Sequence, residues 1–177
     1  MIVEIFPTHL VECEDLLDSD SLQQLYDFVI INQNDLIVTP NELPALSVLK
    51  SAILENAKSL VEHYNFKEVE VSDKFCTHYF PAGEETAMET HSDDLGDYGR
   101  KFIAFFYLEA DPQANGELEI LDPRWVNAPW RDISSSYKIK PKTNKLVIFP
   151  TFLWHKVSTY FSENCPRMAI DVVVRIR

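Results

Sequence analysis

Three residues of types that bind metals could form one site. His91 and Asp93 stand two positions apart, and His155 follows much later in the chain. Because residues i and i+2 of a β-strand point to the same face, the side chains of His91 and Asp93 can reach one ion. Two histidines and one carboxylate that leave other metal positions open are typical of Fe(II) proteins that activate oxygen. The spacing therefore predicts a mononuclear iron site. Asp94 is the alternative carboxylate ligand if a turn begins at Ser92.

A buried cation could complement this metal site. Arg167 stands twelve residues after His155, and the segment between them contains a predicted turn near Phe161. If strands 155–160 and 167–173 form a hairpin, Arg167 lies opposite His155, and directly opposed residues have Cβ atoms about 5 Å apart. A guanidinium stays charged and binds a carboxylate through two parallel hydrogen bonds. This arrangement predicts an anionic molecule bound to the metal at one end and to Arg167 at the other.

Hydrophobic periodicity divides the chain into a helical support segment, 1–70, and a strand-rich core, 71–177. A capping box at Ser21 predicts one helix, and Asn41 with Pro44 predicts the start of a second. Few helical signals and no βαβ alternation in the second segment favour an antiparallel sandwich or jelly roll. Strands are predicted over 1–6, 71–80, 86–92, 102–109, 116–121, 136–140, 145–149, 154–160 and 167–176.

Composition limits the class of protein. A length of 177 residues predicts a single domain, 1–177. The formal net charge is -12, and segment 1–70 carries 13 acidic and only 3 basic residues, which disfavours a nucleic-acid partner. No apolar run could span a bilayer, and the first residues lack the features of a secretion signal. The three cysteines form no CxxC motif and predict reduced thiols in a cytoplasmic compartment.

The ordered motifs of 71–177 resemble those of the Fe(II)/2-oxoglutarate-dependent dioxygenases, within them the prolyl-4-hydroxylase-like branch. This resemblance implies a mainly β protein with N-terminal helices, whose core is a double-stranded β-helix of the jelly-roll or cupin-like type. Small stand-alone members are known from bacteriophage genomes, which implies the cytoplasm of an infected bacterial host as a location. The motifs are HYFPAG at 78–83, HSD at 91–93, FFYL at 105–108, NGEL at 115–118, VIFP at 147–150, His155, and RMAI at 167–170.

The resemblance also implies the chemistry. Fe(II) would be bound by His91, Asp93 and His155, and the 5-carboxylate of the co-substrate 2-oxoglutarate by Arg167 with a tyrosine. Tyr107 matches the family position best, and Tyr79 is the other candidate. The reaction would use O2, with ascorbate as a candidate reductant, and would hydroxylate an unactivated C–H while producing succinate and CO2. The spacing from His155 to Arg167 is longer than in many members, and the substrate or dimerisation domains of collagen-type enzymes are absent.

The sequence leaves the substrate open. The implied substrate is a prolyl residue in a peptide or protein; the alternatives are a free amino acid or small metabolite, or a non-catalytic metal-binding jelly-roll module. His78 alternates with Tyr79 and is predicted to face away from the metal, and Trp154 is predicted to point into packing. The sequence does not predict an oligomeric state. Aromatic and guanidinium groups on the loop that follows Asp122 could hold a substrate, namely Arg124, Trp125, Trp130 and Arg131.

Overall fold

The computed structural model describes residues 8–33, 36–91, 101–122, 136–162 and 165–177. Two helices and nine strands are assigned within these ranges. The two helices both precede the long central strands. In chain order the elements are β1 (Val11–Glu14), α1 (Ser19–Asn32), β2 (Leu36–Val38), α2 (Ala45–Tyr64), β3 (Val69–Phe80), β4 (Lys101–Glu109), β5 (Leu118–Leu121), β6 (Ser136–Ile139), β7 (Lys145–Pro150), β8 (His155–Val157) and β9 (Arg167–Ile176).

The two helices begin where side chains or proline allow it. Asp18 caps α1, because its Oδ1 accepts a hydrogen bond from the backbone nitrogen of Ser21 at 2.8 Å. The capping residue therefore lies three positions before the predicted Ser21. Helix α2 follows Pro44, close to the predicted start. One face of each helix is buried, and α2 contacts β3 of the sheet described next.

The strands form two antiparallel sheets. The large sheet has the order β1-β7-β4-β9-β3-β2, and the small sheet has the order β6-β5-β8. Alternate residues of the central strands divide between two cores. Met168 and Ile170 of β9 join the core beneath the helices, whereas Ala169 joins the core that β4, β5 and β7 share with β8. The protein is therefore a double-stranded β-helix with helices on the outer face of the large sheet, as predicted.

Three sequence predictions of strands and pairing need correction. Segment 1–70 also supplies β1 and β2, which extend the two edges of the large sheet by pairing with β7 and β3. The predicted strand 86–92 is reduced, in its described part, to one isolated bridge between Glu89 and His155. The predicted hairpin is wrong, because β8 pairs with β5 in the small sheet and β9 lies between β3 and β4 in the large sheet. The strand predicted over 1–6 lies outside the described residues.

Candidate metal and co-substrate site

The fold brings His91 and His155 together although they are far apart in sequence. Their rings are stacked, with centroids 5.0 Å apart and an angle of 29° between the ring planes. Backbone contacts hold this pair in place. Glu89 and His155 exchange two backbone hydrogen bonds of 2.9 and 3.0 Å, and the backbone nitrogen of His91 donates to the carbonyl of Thr151 at 3.0 Å. The segment before the HxD motif is thus fixed to the strand that carries the distal histidine.

The surroundings of His155 leave one ring nitrogen for a metal. The residue is 5% exposed, and its Nδ1 lies 2.9 Å from the carbonyl oxygen of Leu153. Because a carbonyl can only accept, Nδ1 must carry the proton, and Nε2 keeps its lone pair. Burial also lowers the pKa of His155 below its ordinary value, which favours the neutral imidazole that binds metals. The edge of the Phe149 ring packs against the imidazole, with centroids 4.9 Å apart.

Glu89 is a carboxylate near this pair that the sequence reasoning missed. Its Oε1 lies 4.0 Å from Nε2 of His155, and donor atoms of Glu89, His91 and His155 all lie within 4.8 Å of one another. The predicted ligand Asp93 and its alternative Asp94 lie outside the described residues. Two imidazoles with a nearby carboxylate fit Fe(II) chemically. The geometry supports the histidine pair and adds Glu89 as a third candidate for the carboxylate.

Arg167 is buried between the two sheets with little to bind. The residue is 0% exposed, and its Nη1 makes only long contacts of 3.4 Å to the carbonyl oxygens of Gly116 and Ser158. Its Nε and Nη2 have no hydrogen-bond partner among the described residues. Burial lowers the pKa of Arg167 to about 10, so the side chain remains a cation at neutral pH. A buried cation that lacks acceptors is a ready binding group for an anion.

Aromatic rings surround this guanidinium. The Cζ atom of Arg167 lies 4.2 Å from the ring centroid of Phe80 and 5.7 Å from that of Tyr160. Tyr107 is also fully buried, in the core between the sheets, and its hydroxyl has no partner in the described part of the chain. Burial raises the pKa of Tyr107, and the positive charge of Arg167 opposes this shift. A neutral phenol beside Arg167 could donate a hydrogen bond to the same anion.

The structure does not bring the other predicted tyrosine close to Arg167. Tyr79 pairs with Met168 and packs against the core beneath the helices, which lies on the opposite face of the large sheet from Arg167. Its neighbour His78 pairs instead with Ala169, whose side chain lies in the core between the sheets. The structure thus places His78 on the inner face of the large sheet, whereas the sequence predicted that it faces away from the metal. Nε2 of His78 lies 2.6 Å from Oδ2 of Asp171, another residue of the same inner face.

Two aromatic residues before β8 are exposed, and one of them differs from expectation. Trp154 is 48% exposed rather than packed inside, and Phe152 is also exposed. Both lie on the segment between β7 and β8, shortly before His155 in the sequence. They leave apolar surface exposed on the segment that leads into the strand of His155. The predicted substrate residues Arg124, Trp125, Trp130 and Arg131 lie outside the described residues.

Gly116 lies close to Tyr160 and Arg167, and its replacement tests how tightly this part of the site is packed. A Cβ at this position would meet Tyr160 Cδ2 at 2.8 Å and Arg167 Nη1 at 3.0 Å, and the backbone has φ +71°. We expect Gly116→Ala to lower the free energy of unfolding by about 2–4 kcal/mol, from backbone strain plus overpacking. We also expect weaker anion binding at Arg167. Urea denaturation measures the first effect and ligand titration the second.

Gly83 offers a matched control for this substitution. Its φ is +90°, and a Cβ there would meet no atom within 4 Å. Gly83→Ala therefore introduces the backbone strain without the contacts, and we expect a loss of only about 1–2 kcal/mol. Equal losses for the two variants would show that the contacts of Gly116 do not constrain the packing around Arg167.

Comparisons with known proteins identify the family of this chain. Residues 75–175, more than half of the chain, match the family model described as the 2OG-Fe(II) oxygenase superfamily. The chain belongs to this superfamily, whose name implies Fe(II) and 2-oxoglutarate. No curated protein sequence matches the chain. Among the described residues, neither helix is long and apolar enough to cross a membrane.

Solved structures show the same fold at low sequence identity. A prolyl-4-hydroxylase from Pseudomonas putida has a TM-score of 0.71 and 14% identity, over 96% of this chain and 94% of its own. A truncated viral collagen prolyl hydroxylase from Paramecium Bursaria Chlorella virus-1 has a TM-score of 0.69 and 14% identity, over 99% and 97%. The α-ketoglutarate-dependent epimerase SnoN from nogalamycin biosynthesis has a TM-score of 0.71 and 11% identity, over 94% and 77%.

Proposed function

We propose that this protein is an Fe(II)- and 2-oxoglutarate-dependent hydroxylase that acts on a prolyl residue in a peptide or protein. His91, His155 and Asp93 hold the iron, and Arg167 with Tyr107 holds the distal carboxylate of 2-oxoglutarate. The single observation that carries the proposal is Arg167, a fully buried cation with two nitrogens that lack partners among the described residues. Such a group is costly unless an anion joins it. The histidine pair supplies the metal ligands on the small-sheet side of the same core.

The division of work between cofactor and protein follows from the site. When bound, Fe(II) and 2-oxoglutarate supply the oxidation of a C–H by O2, with succinate and CO2 as co-products. The Leu153 carbonyl orients the ring of His155, as outer partners of metal ligands commonly do. Phe149 and Phe105 line the core beside the site and exclude water from it. No side chain needs to act as a general base.

Exposed aromatic residues on the segment before β8 favour a peptide substrate over a small metabolite. Trp154 and Phe152 are exposed on the segment that precedes the strand of His155, and aromatic rings supply large apolar contact areas at interfaces. Two of the structural neighbours are named as prolyl hydroxylases. The neighbour from nogalamycin biosynthesis keeps a free amino acid or another small molecule as the second candidate substrate. A non-catalytic metal-binding module is the third possibility. A reducing, cytoplasmic compartment would suit both ferrous iron and the three free cysteines.

An anaerobic titration tests the core of the proposal. Adding Fe(II) and then 2-oxoglutarate to the protein should produce the weak visible charge-transfer band of the chelate. In air, the same mixture should form succinate slowly without a substrate, and ascorbate should sustain that turnover. A band without succinate would indicate a binding module, and the absence of a band would overturn the iron site. A screen for a mass gain of one oxygen, over proline-containing peptides and metabolites, then identifies the substrate.

Trp154→Ala tests whether a peptide substrate contacts the exposed aromatic residues. If a peptide lies across them, this variant should raise KM for the peptide found in the screen by about tenfold, which corresponds to about 1.4 kcal/mol of lost contact. Substrate-independent succinate formation should remain unchanged, because Trp154 is exposed and lies outside the core. Phe161→Ala is a control, since Phe161 is exposed in the connection between β8 and β9. An unchanged KM in Trp154→Ala would show that the peptide does not contact Trp154.

A further inference from the structure

A second group of metal-binding side chains lies on the inner face of the large sheet. Cys76 and Asp171 are directly paired across β3 and β9, and His78 is the next residue of β3 on the same face. One donor atom from each of the three residues lies within 4.8 Å of the others. Nε2 of His78 is already 2.6 Å from Oδ2 of Asp171. The pairing of two strands therefore brings together a sulfur, a nitrogen and an oxygen donor.

This cluster is distinct from the iron site. Its residues come from the large sheet, whereas His155 belongs to the small sheet, and the two groups share no residue. All three side chains are half-buried, so they are partly removed from water but remain accessible to a small ion. The reaction proposed above uses none of them. The cluster nevertheless lies in the same barrel interior, because Ala169 of β9 and Phe105, which pairs with Asp171, join the core between the sheets.

We propose that Cys76, His78 and Asp171 form a second site for a divalent transition metal such as Zn(II), Co(II) or Fe(II). Thiolate, imidazole and carboxylate are the ligands that proteins use for these ions, and three protein ligands leave a fourth position for water. Ca²⁺ and Mg²⁺ are disfavoured, because both prefer oxygen ligands alone. A metal at this site ties β3 to β9 through their side chains.

The electrostatic surroundings of His78 agree with a cation at this place. Burial by itself lowers the pKa of His78, but the hydrogen bonds to Asp171 and Cys76 outweigh it and raise the pKa to about 10. Metal ligands bind in their deprotonated forms, so a metal ion would displace a proton from His78.

A metal bound to the cluster would also affect Arg167, because Phe80 packs against both His78 and Arg167. The ring of His78 stacks on that of Phe80 with centroids 5.8 Å apart, and the Phe80 ring also contacts the guanidinium of Arg167, whose Cζ lies 4.2 Å from its centroid. A metal that holds the His78 ring in place would hold Phe80 as well. The second site would therefore help to position Arg167 rather than take part in the reaction.

Cobalt titration of tag-free protein tests the proposal. Co(II) bound to a thiolate gives an intense near-ultraviolet charge-transfer band, whereas the iron site contains no sulfur. We expect two equivalents of Co(II) for the native protein, and one for the double variant His91→Ala/His155→Ala, which should keep the band. Cys76→Ala should remove the band and lower the stoichiometry of the native protein from two to one. Asp171→Asn should weaken the second equivalent at least about tenfold, the scale seen even for outer-shell partners.

Cys165→Ala is the matched control, because Cys165 is another half-buried free cysteine. It should leave the band and the stoichiometry unchanged. A single equivalent in the native protein, or a band that survives Cys76→Ala, would overturn the second site. Because Cys76→Ala is compared with native protein, the test holds even if the double variant does not fold. Failure here leaves the Fe(II)–2-oxoglutarate band intact, so it is distinguishable from failure of the proposed function.

Discussion

Replacing Arg167 with methionine is expected to weaken 2-oxoglutarate binding strongly while leaving the apoprotein at least as stable. Loss of a buried, hydrogen-bonded charge partner costs about 2–5 kcal/mol, so the Kd should rise roughly 30-fold or more. The stability expectation has a different cause. The guanidinium is fully buried with two nitrogens that lack partners among the described residues, and burial lowers its pKa to about 10. Methionine fills a similar volume without that desolvation cost.

Two measurements separate these effects. The charge-transfer titration gives the affinity for 2-oxoglutarate, and urea denaturation of the apoprotein gives the free energy of unfolding. Arg175→Met is the matched control, because Arg175 lies on the same strand and is only half-buried. It should change neither quantity by more than about 0.5 kcal/mol. Arg167→Lys should bind 2-oxoglutarate with intermediate affinity, since it keeps the charge but not the forked geometry. An unchanged affinity in Arg167→Met would remove Arg167 from the site.

Native protein and Arg167→Met should also differ in how much 2-oxoglutarate stabilises the folded state. A molecule that binds only the folded state raises the free energy of unfolding by about 2.7 kcal/mol at one hundred times its Kd. Native protein with a divalent metal and 2-oxoglutarate should therefore melt at a higher temperature than the apoprotein. Arg167→Met should show the increase with metal alone but a much smaller one from 2-oxoglutarate. A full increase in the variant would show that the co-substrate binds elsewhere.

Strand alternation made the position of Arg167 predictable from sequence. Met168 and Ile170 are apolar because they contact the helices, and Arg167 and Ala169 necessarily point the other way. The sequence shows this because apolar residues at alternate positions mark one face of the strand, and the remaining residues must lie on the other face. The helices were predictable for the same reason, since apolar residues recur along α2 at the helical period and pack on the sheet. These features depend on neighbours in the sequence.

Features that depend on distant neighbours were not predictable in the same way. The sequence suggested a hairpin between β8 and β9 because a turn lies between them, but the chain crosses there from one sheet to the other. The face of Tyr79 is set by its pairing with Met168, which is 89 residues away. Without that register, the choice of Tyr79 rather than His78 for the barrel interior was arbitrary. A one-residue change in parity exchanges every side chain between faces.

The identity of the carboxylate ligand is another feature that the sequence alone does not decide. Glu89, His91 and Asp93 stand at intervals of two, so an extended backbone would present all three on one face. The structure places Glu89 near His155, with 4.0 Å between Oε1 and Nε2, but the Glu89 side chain is 52% exposed. That distance is too long for a hydrogen bond, and exposure weakens the electrostatic attraction. We therefore expect Glu89 to act as an outer neighbour and Asp93 as the ligand.

Fe(II) binding by single variants should follow this order. His91→Ala and His155→Ala should each weaken Fe(II) binding by more than about 100-fold and abolish succinate formation, because loss of a ligand exceeds the 10- to 100-fold cost of losing an outer partner. Asp93→Asn should match them. Glu89→Gln should cost about tenfold or less, and Asp94→Asn should resemble native protein. Anaerobic Fe(II) titration with the 2-oxoglutarate band as readout measures all five.

The backbone hydrogen bonds of Glu89 make the result of Glu89→Gln easier to interpret. Glu89 exchanges two backbone hydrogen bonds with His155, and these remain when only the side-chain carboxylate becomes an amide. A large loss in Glu89→Gln would therefore report on the carboxylate and not on a displaced strand. If that loss equals the loss in His155→Ala while Asp93→Asn still gives the band, Glu89 is the ligand. The parity rule would then remain valid, because it never distinguished the residue two before His91 from the residue two after it.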